Sequence, residues 1–167
     1  MVTKVAQVSG LVKRGIENPE SAFPEIRKIA ADADWEVREV AATALVETSK
    51  KRADEVVREM IRWAKDRDPN VRRTSSEGPR DVARRDPKKV LPVIEALKAD
   101  ENLYVKKSVA NVLRNAARKH PDLVLDVCRR WARAGNPNTS WIVKDGLRKL
   151  KESHPKEVKE ILDLADF

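Results

Sequence analysis

A single carboxylate stands among arginines near the middle of the chain. Glu77 follows Arg73 by four residues, and Arg80 and Arg84 follow Arg73 by seven and eleven, spacings that share one helix face. A carboxylate there could stabilise a sugar cation as an N-glycosidic bond breaks, or orient the attacking water. We expect Arg73 and Arg80 to hold Glu77 ionised, as both roles require. The same pattern fits a carboxylate that only organises the arginines.

The cationic pattern recurs 34 residues later. The residues at the same four positions are Lys107, Asn111, Arg114 and Arg118. Further basic residues near these two runs are Arg72, Lys106, Lys144 and Arg148. Ion pairs within a helix contribute only about 0.2–0.5 kcal/mol each, so they do not account for this excess of cations. The pattern predicts a basic strip on two stacked helices that binds nucleic-acid phosphates. The alternative is a solvated face of an alkaline protein.

Two tryptophans stand at equivalent positions near the ends of the chain. Trp35 and Trp141 each begin a predicted helix, where the intervening copies have Pro69 and Leu103. An aromatic face at such a rim can stack on a base or attract a cationic one. Packing between helices is the other use that the position allows.

No motif in the sequence binds a metal or a cofactor. There is no CxxC, no HExxH, no Gly-rich phosphate loop and no GxSxG. His120 and His154 precede prolines at predicted helix starts, which favours a capping or turn role over acid–base catalysis. The single cysteine excludes an intramolecular disulfide framework. We therefore expect no metal and no cofactor.

Regularly spaced prolines indicate which elements carry these residues. Pro87, Pro121 and Pro155 stand 34 residues apart, Pro19 lies two such steps before Pro87, and Ala53 holds the missing position. Proline is favoured in the first turn of a helix, where its missing N–H is no loss. A period of this length in helical segments predicts an all-α fold, an α-solenoid of about five helix pairs. The predicted pairs, in a single domain over residues 1–167, are 2–32, 34–66, 69–98, 101–133 and 138–165.

The repeat also separates core residues from candidate site residues. Trp63, Trp131 and Cys128 fall at repeat positions that are apolar in every copy, so we predict that they pack in the core. The net charge of +8 at pH 7 favours a polyanionic partner. No apolar run approaches the ~18 residues of a membrane span, and the first residues lack signal-peptide features. We expect a monomer without a membrane partner, in the cytoplasm, associated with the nucleoid in a prokaryote.

Four stretches between about residues 33 and 152 resemble the HEAT-like-repeat DNA alkylation repair glycosylases, the AlkC/AlkD superfamily. They read DADWEVREVAATAL, NVRRTSSEGPR, LYVKKSVANVLRNAARKHPDLVLDVCRRW and NTSWIVKDGLRKL. The resemblance implies a HEAT-like solenoid whose concave basic face holds double-stranded DNA. It also implies hydrolytic excision of cationic bases alkylated at N3 or N7, such as 3-methyladenine and 7-methylguanine.

The resemblance assigns roles to individual residues. Glu77 is similar to a glutamate that is catalytic on the AlkC side, and Arg73 to an arginine that contacts DNA. Arg114 matches an AlkD-side arginine that contacts the backbone near the lesion. Trp35 resembles the tryptophan before that side's catalytic aspartate, whose neighbourhood holds Arg38 or Glu39 here. Two alternatives stay open, a non-catalytic relative that recognises distorted or branched DNA, and a protein–protein scaffold.

Overall fold

The chain folds entirely into helices over residues 3–165, the range that the computed structural model describes. In that range there are eleven α-helices, one 3₁₀ turn at Arg148–Leu150 and no strand. The α-helices are α1 Lys4–Glu17, α2 Pro19–Ala30, α3 Trp35–Ser49, α4 Ala53–Trp63, α5 Pro69–Glu77, α6 Arg80–Arg85, α7 Pro87–Leu97, α8 Leu103–Ala117, α9 Pro121–Ala132, α10 Pro137–Gly146 and α11 Pro155–Leu164. The predicted all-α class is confirmed.

Five helices begin at the regularly spaced positions that the sequence marks. The first residues of α2, α4, α7, α9 and α11 are Pro19, Ala53, Pro87, Pro121 and Pro155. Proline loses no hydrogen bond at this position, and its fixed φ suits the first turn. His120 and His154 are the N-cap residues of α9 and α11, and neither makes a side-chain capping hydrogen bond. The histidines therefore belong to the turns.

A second series with the same period of 34 residues caps the other helix of four pairs. The N-cap residues of α3, α5, α8 and α10 are Asp34, Asp68, Asn102 and Asn136. Each side-chain oxygen accepts a hydrogen bond from the backbone N–H two residues later, at 2.8 to 3.0 Å. Replacing such a cap by alanine costs about 0.5–2 kcal/mol. These four Asp and Asn side chains thus determine where the helices start.

The core contains the residues that the repeat assigns to it. Trp63, Trp131 and Cys128 are 3%, 1% and 0% exposed. The Nε1 atom of Trp63 donates to Oε1 of Glu59 at 3.1 Å, and that of Trp131 to Oε1 of Glu95 at 3.0 Å. Each buried indole N–H therefore has a partner, as burial requires. The prediction that these three side chains serve packing is confirmed.

The third helix pair departs from the predicted pattern. The sequence predicts one continuous helix from Arg73 through Arg84, but α5 ends at Glu77 and α6 begins at Arg80. Pro79 has no N–H to continue the ladder, and it stands as the N-cap of α6. The prediction of a single helix face for the four charged residues is therefore wrong, since they are divided between two helices.

Two glycines allow neighbouring helices to approach closely. A Cβ at Gly78 would lie 2.9 Å from Cδ1 of Leu45, and a Cβ at Gly146 would lie 2.8 Å from Cδ1 of Leu113. Both leucines are buried. A larger residue at either glycine would push the helices apart. Gly78 thus keeps the end of α5 against α3, and Gly146 keeps α10 against α8.

Contacts along the chain divide it into two units, one ending at Val93 and one beginning at Ile94. In the first unit, α3 packs against α1, α2, α4 and α5. In the second, α10 packs against α8 and α9, and α9 against α11. That the whole chain forms one domain stays a prediction. Across residues 3–165, no helix has both the length and the apolarity needed to cross a membrane.

Candidate nucleic-acid interface

Glu77 lies at the end of α5 and forms an ion pair with Arg73. Oε1 of Glu77 is 3.0 Å from Nη2 of Arg73, and the Glu77 side chain is 24% exposed. Burial raises the pKa of Glu77 above its ordinary value of 4.5, and the negative charge of Glu39 raises it further; the charges of Arg73 and Arg80 offset only part of this rise. Arg73 and Arg80 thus favour the ionised form, as expected, but burial and Glu39 outweigh them and the net shift of the pKa is upward.

Trp35 lines a cavity in the first unit, which also contains Glu77. The cavity has a volume of about 410 Å³, and Val5, Val8, Trp35, Glu36 and Glu39 are among the residues that line it. Trp35 is 65% exposed. Glu39 follows Trp35 by one helical turn, so it both lines this cavity and acts electrostatically on Glu77. We refer to this space, with Trp35 and Glu39 in its wall, as the Trp35 cavity.

The second acidic residue of the cavity wall already has a cation beside it. Oε2 of Glu36 lies 2.5 Å from Nζ of Lys4. Lys4 therefore offsets the charge of Glu36. Glu39 is the acidic residue of the wall whose charge acts on Glu77, together with the opposing charges of Arg73 and Arg80.

Glu39 is the residue of this region that the sequence reading did not select. It stands 34 residues before Arg73 and 68 before Lys107, so it occupies the position that is cationic in two later copies. A negative charge at Glu39, where the later copies have the cations Arg73 and Lys107, was the signal in the sequence that could have identified this residue. Its significance depends on α3 and α5 being neighbours, which the structure establishes.

Arg72 holds a turn. Its Nη1 atom donates to the carbonyl oxygens of Asp66 and Arg67 at 3.0 and 3.1 Å. Arg38, one period earlier, makes the same pair of contacts with its own preceding turn, at 2.8 and 2.9 Å. We infer from these contacts that Arg72 serves the turn, and its predicted contact with phosphate stays a prediction.

The other predicted basic residues of the first unit are Arg80 and Arg84. Both are exposed side chains on α6. The charge of Arg80 also lowers the pKa of Glu77 in part. These two arginines remain predicted phosphate contacts.

In the second unit, α8 carries the other predicted set. Its exposed members are Lys107, Asn111 and Arg118. Arg114 is 15% exposed, and its Nη1 atom lies 2.6 Å from Oδ2 of Asp145 on α10. The other carboxylate oxygen of Asp145 lies 2.9 Å from Nε of Arg148. Arg114 is therefore anchored to its neighbouring helix. The side-by-side strip formed with the residues of the first unit stays a prediction.

Trp141 lines a cavity in the second unit. The cavity measures about 260 Å³, and its walls are Trp141, Lys144, Asp145, Arg148 and Lys151. Nζ of Lys106 lies 5.4 Å from the centroid of the Trp141 ring and donates to Oδ1 of Asn138 at 3.1 Å. A cation over an indole is attracted by the ring quadrupole. We refer to this space as the Trp141 cavity.

The described residues offer neither a cluster of metal ligands nor a reactive cysteine. Residues 3–165 contain no group of three or more His, Cys, Asp or Glu side chains that could hold a metal ion. Cys128 is fully buried, and burial raises the pKa of its thiol to about 12. A thiol in that state is no nucleophile at neutral pH.

The protein is built from helix pairs, and its net charge is positive. The wall of the Trp35 cavity combines an exposed indole with acidic side chains. A family model described as DNA alkylation repair enzyme matches residues 6–150. The chain belongs to this family. No curated protein sequence matches the chain significantly.

Solved structures agree with the family assignment. The chain is similar to the Pseudomonas fluorescens alkylpurine DNA glycosylase AlkC, bound to DNA containing an abasic site analog, with a TM-score of 0.80 and 24% identity over 95% of this chain and 45% of that one. It is also similar to AlkD2 from Streptococcus mutans, with a TM-score of 0.67 and 28% identity over 77% of this chain and 65% of that one. The likeness to AlkC shows the helical-repeat fold. The chain spans less than two thirds of the length of both relatives.

Proposed function

We propose that this protein binds double-stranded DNA and hydrolyses the N-glycosidic bond of a cationic alkylated purine. The observation that carries the proposal is that Glu39 shares the wall of the Trp35 cavity with the exposed indole and acts electrostatically on the partly buried carboxyl of Glu77. The chain as a whole has a net charge of +8. An acidic group in a basic chain weakens binding to phosphates, and Arg73 and Arg80 offset the upward shift in the pKa of Glu77 only in part, so the two carboxylates together favour a further cation.

An alkylated purine supplies that cation. Alkylation at N3 or N7 leaves a positive charge on the base, whereas the four ordinary bases are neutral. Two carboxylates favour the charged base by Coulomb attraction, and an indole face favours a cation through its quadrupole. The AlkC relative is an alkylpurine DNA glycosylase, which supports the same assignment for this chain.

The reaction needs little beyond these groups. The bond between C1′ and the base nitrogen breaks with its electron pair going to the base, which leaves as a neutral molecule. Positive charge then develops on the sugar, and the carboxylates of Glu39 and Glu77 stabilise it. Water adds to C1′ and loses a proton to Glu77. Because its pKa is raised, the Glu77 carboxylate is a stronger base than an ordinary glutamate.

Exposed cations supply the affinity for the DNA backbone. Those that we assign to phosphate contacts are Arg80, Arg84, Lys107, Arg118, Lys144 and Arg148. Each phosphate that a cation neutralises releases counterions, so binding weakens as salt is added. Arg73 and Arg114 position the carboxylates Glu77 and Asp145 through their ion pairs.

Release of the modified base tests the proposal. DNA containing 7-methylguanine or 3-methyladenine is incubated with the wild-type protein and with Glu77→Gln. Free base should appear with the wild type, at a rate that falls by about 10²–10³-fold in the variant. Equal release by both proteins, above the rate without protein, would show that Glu77 has no role in the reaction. No release by either protein would contradict the proposed glycosylase activity.

A second candidate is a DNA-binding relative without glycosylase activity, which recognises distorted or branched DNA. It is favoured by the ion pair between Glu77 and Arg73, because a carboxylate that only organises the arginines would make the same contact. The same assay separates the two candidates. The second predicts binding to DNA that survives Glu77→Gln, with no base released by the wild type.

A further inference from the structure

The Trp141 cavity has a chemical character of its own and plays no part in the reaction proposed for the Trp35 cavity. Three cations line it, Lys144, Arg148 and Lys151, and its single acid, Asp145, already bonds Arg148 and the anchored Arg114. The residues of the wall therefore carry more positive than negative charge. The occupant that fits is an anion with a flat face for the indole.

The size of the cavity limits that occupant. At about 260 Å³ it lies just below the ~300–1,000 Å³ of pockets for drug-sized ligands, so it holds one ring system and not a larger surface. A nucleotide combines one flat ring with one phosphate. Aromatic side chains beside cations are the usual means of binding single-stranded nucleic acid, because a base stacks while its phosphate is neutralised.

A base inside a duplex cannot use Trp141, because the neighbouring base pairs cover both of its faces. Stacking on the indole therefore requires a nucleotide that is unpaired, at a bulge, a gap or a strand end. We propose that the Trp141 cavity binds an unpaired nucleotide of DNA, with its base against Trp141 and its phosphate held by the lysines and arginine of the wall. The inference rests on the proposed binding of DNA and adds a class of substrate to it.

Lys106 has a positioning role in this site. It is not one of the residues that line the cavity, yet its ammonium lies over the Trp141 ring and is held by Asn138. These two contacts restrain the indole in one orientation before any base arrives. A preformed aromatic surface binds with less loss of side-chain entropy than a mobile one.

Two DNAs of the same sequence test the proposal, one fully paired and one with a single bulged nucleotide. Affinities are measured by fluorescence anisotropy at about 0.1 M salt, with wild type, Trp141→Phe and Trp141→Leu. We expect the wild type to bind the bulged DNA about tenfold more tightly, as one stacked base contributes. Trp141→Phe should keep most of this preference because it keeps an aromatic face, and Trp141→Leu should lose it.

Tyr104→Leu is the matched control, since it removes an exposed aromatic side chain of the same unit that does not line the cavity, and it should leave the preference intact. Thermal unfolding of each variant checks its fold. If Trp141→Leu does not fold, Lys151→Ala replaces it, and should weaken binding to the bulged DNA more than to the paired DNA. Equal affinity of the wild type for both DNAs would overturn the inference alone, as would a preference that survives Trp141→Leu or Lys151→Ala. Failure to bind either DNA would overturn the proposed function as well.

Discussion

Nη2 of Arg73 lies 3.0 Å from Oε1 of Glu77, and yet the pKa of Glu77 is raised. An ion pair normally lowers the pKa of a carboxyl. Here burial of the carboxyl and the charge of Glu39 together outweigh the arginine. Burial and Glu39 disfavour the ionised form of Glu77, so a cation placed beside the carboxylate stabilises it strongly. An alkylated base or a developing sugar cation would be such a cation.

The raised pKa makes stability depend on pH in a definite direction. A carboxyl whose pKa is higher in the folded chain than in the unfolded chain binds its proton more tightly when folded, so its ionisation disfavours folding. This loss is absent below the unfolded pKa near 4.5 and complete above the folded pKa. We expect Glu77→Gln to gain stability relative to the wild type between about pH 4 and pH 7. Urea unfolding of both proteins at the two pH values measures the change. A difference that stays constant, or that shifts in favour of the wild type, would contradict the assigned pKa.

The contact between α5 and α3 depends on the lack of a side chain at Gly78. In Gly78→Ala the new Cβ would meet Leu45 at 2.9 and 3.0 Å, and we expect a loss of about 1–3 kcal/mol in the free energy of unfolding. Gly10→Ala is the matched control, because its Cβ would meet nothing within 4 Å. That change should stabilise α1 by roughly 0.5–1 kcal/mol. Denaturant titration compares them, and equal effects of the two substitutions would show that the close approach is unimportant.

Burial of Cys128 makes the only thiol a reporter of unfolding. A pKa near 12 in place of 9.0 leaves about a thousandfold less thiolate at a given pH, and the side chain is inaccessible as well. We expect a thiol reagent to react with the native protein at least that much more slowly than with the protein in urea. Similar rates in both conditions would mean that the core opens around α9.

Sequence spacing predicted the helices well because the signal is local. Proline at the first turn and an Asp or Asn side chain at the N-cap act within three residues, and both recur every 34 residues. The burial of Trp63 and Trp131 was predicted from the same period, because the positions at which neighbouring repeats pack together are apolar in every copy. These features need no knowledge of which helices touch.

The site was harder to predict because its chemistry depends on contacts between helices. The raised pKa of Glu77 comes from burial and, in smaller part, from Glu39 on α3, and the anchoring of Arg114 comes from Asp145 on α10. A charge count also does not distinguish a guanidinium bound to a turn, such as that of Arg72, from one that faces solvent. The break at Pro79 was missed because the spacing of charges fitted an unbroken helix.

Two basic residues in similar sequence contexts should behave differently towards DNA. Lys107 is exposed, so Lys107→Ala should weaken binding to all duplexes about equally and reduce the magnitude of the salt slope by about one. Arg72 is bound to the turn before α5, so Arg72→Ala should lower thermal stability and leave the slope unchanged. Anisotropy titrations over a range of salt concentrations measure the slopes. The assignment of Arg72 to the turn fails if its variant changes the slope and not the stability.

Base release under single-turnover conditions tests the central claim most directly. DNA carrying 7-methylguanine is mixed with excess wild-type protein, Glu77→Gln or Glu39→Gln, and the freed base is quantified by chromatography over time. We predict release by the wild type, a rate lower by about 10²–10³-fold in Glu77→Gln, and a smaller loss in Glu39→Gln. All three proteins should still bind the DNA. Binding by the wild type without any release of base above the protein-free rate would contradict the proposed chemistry.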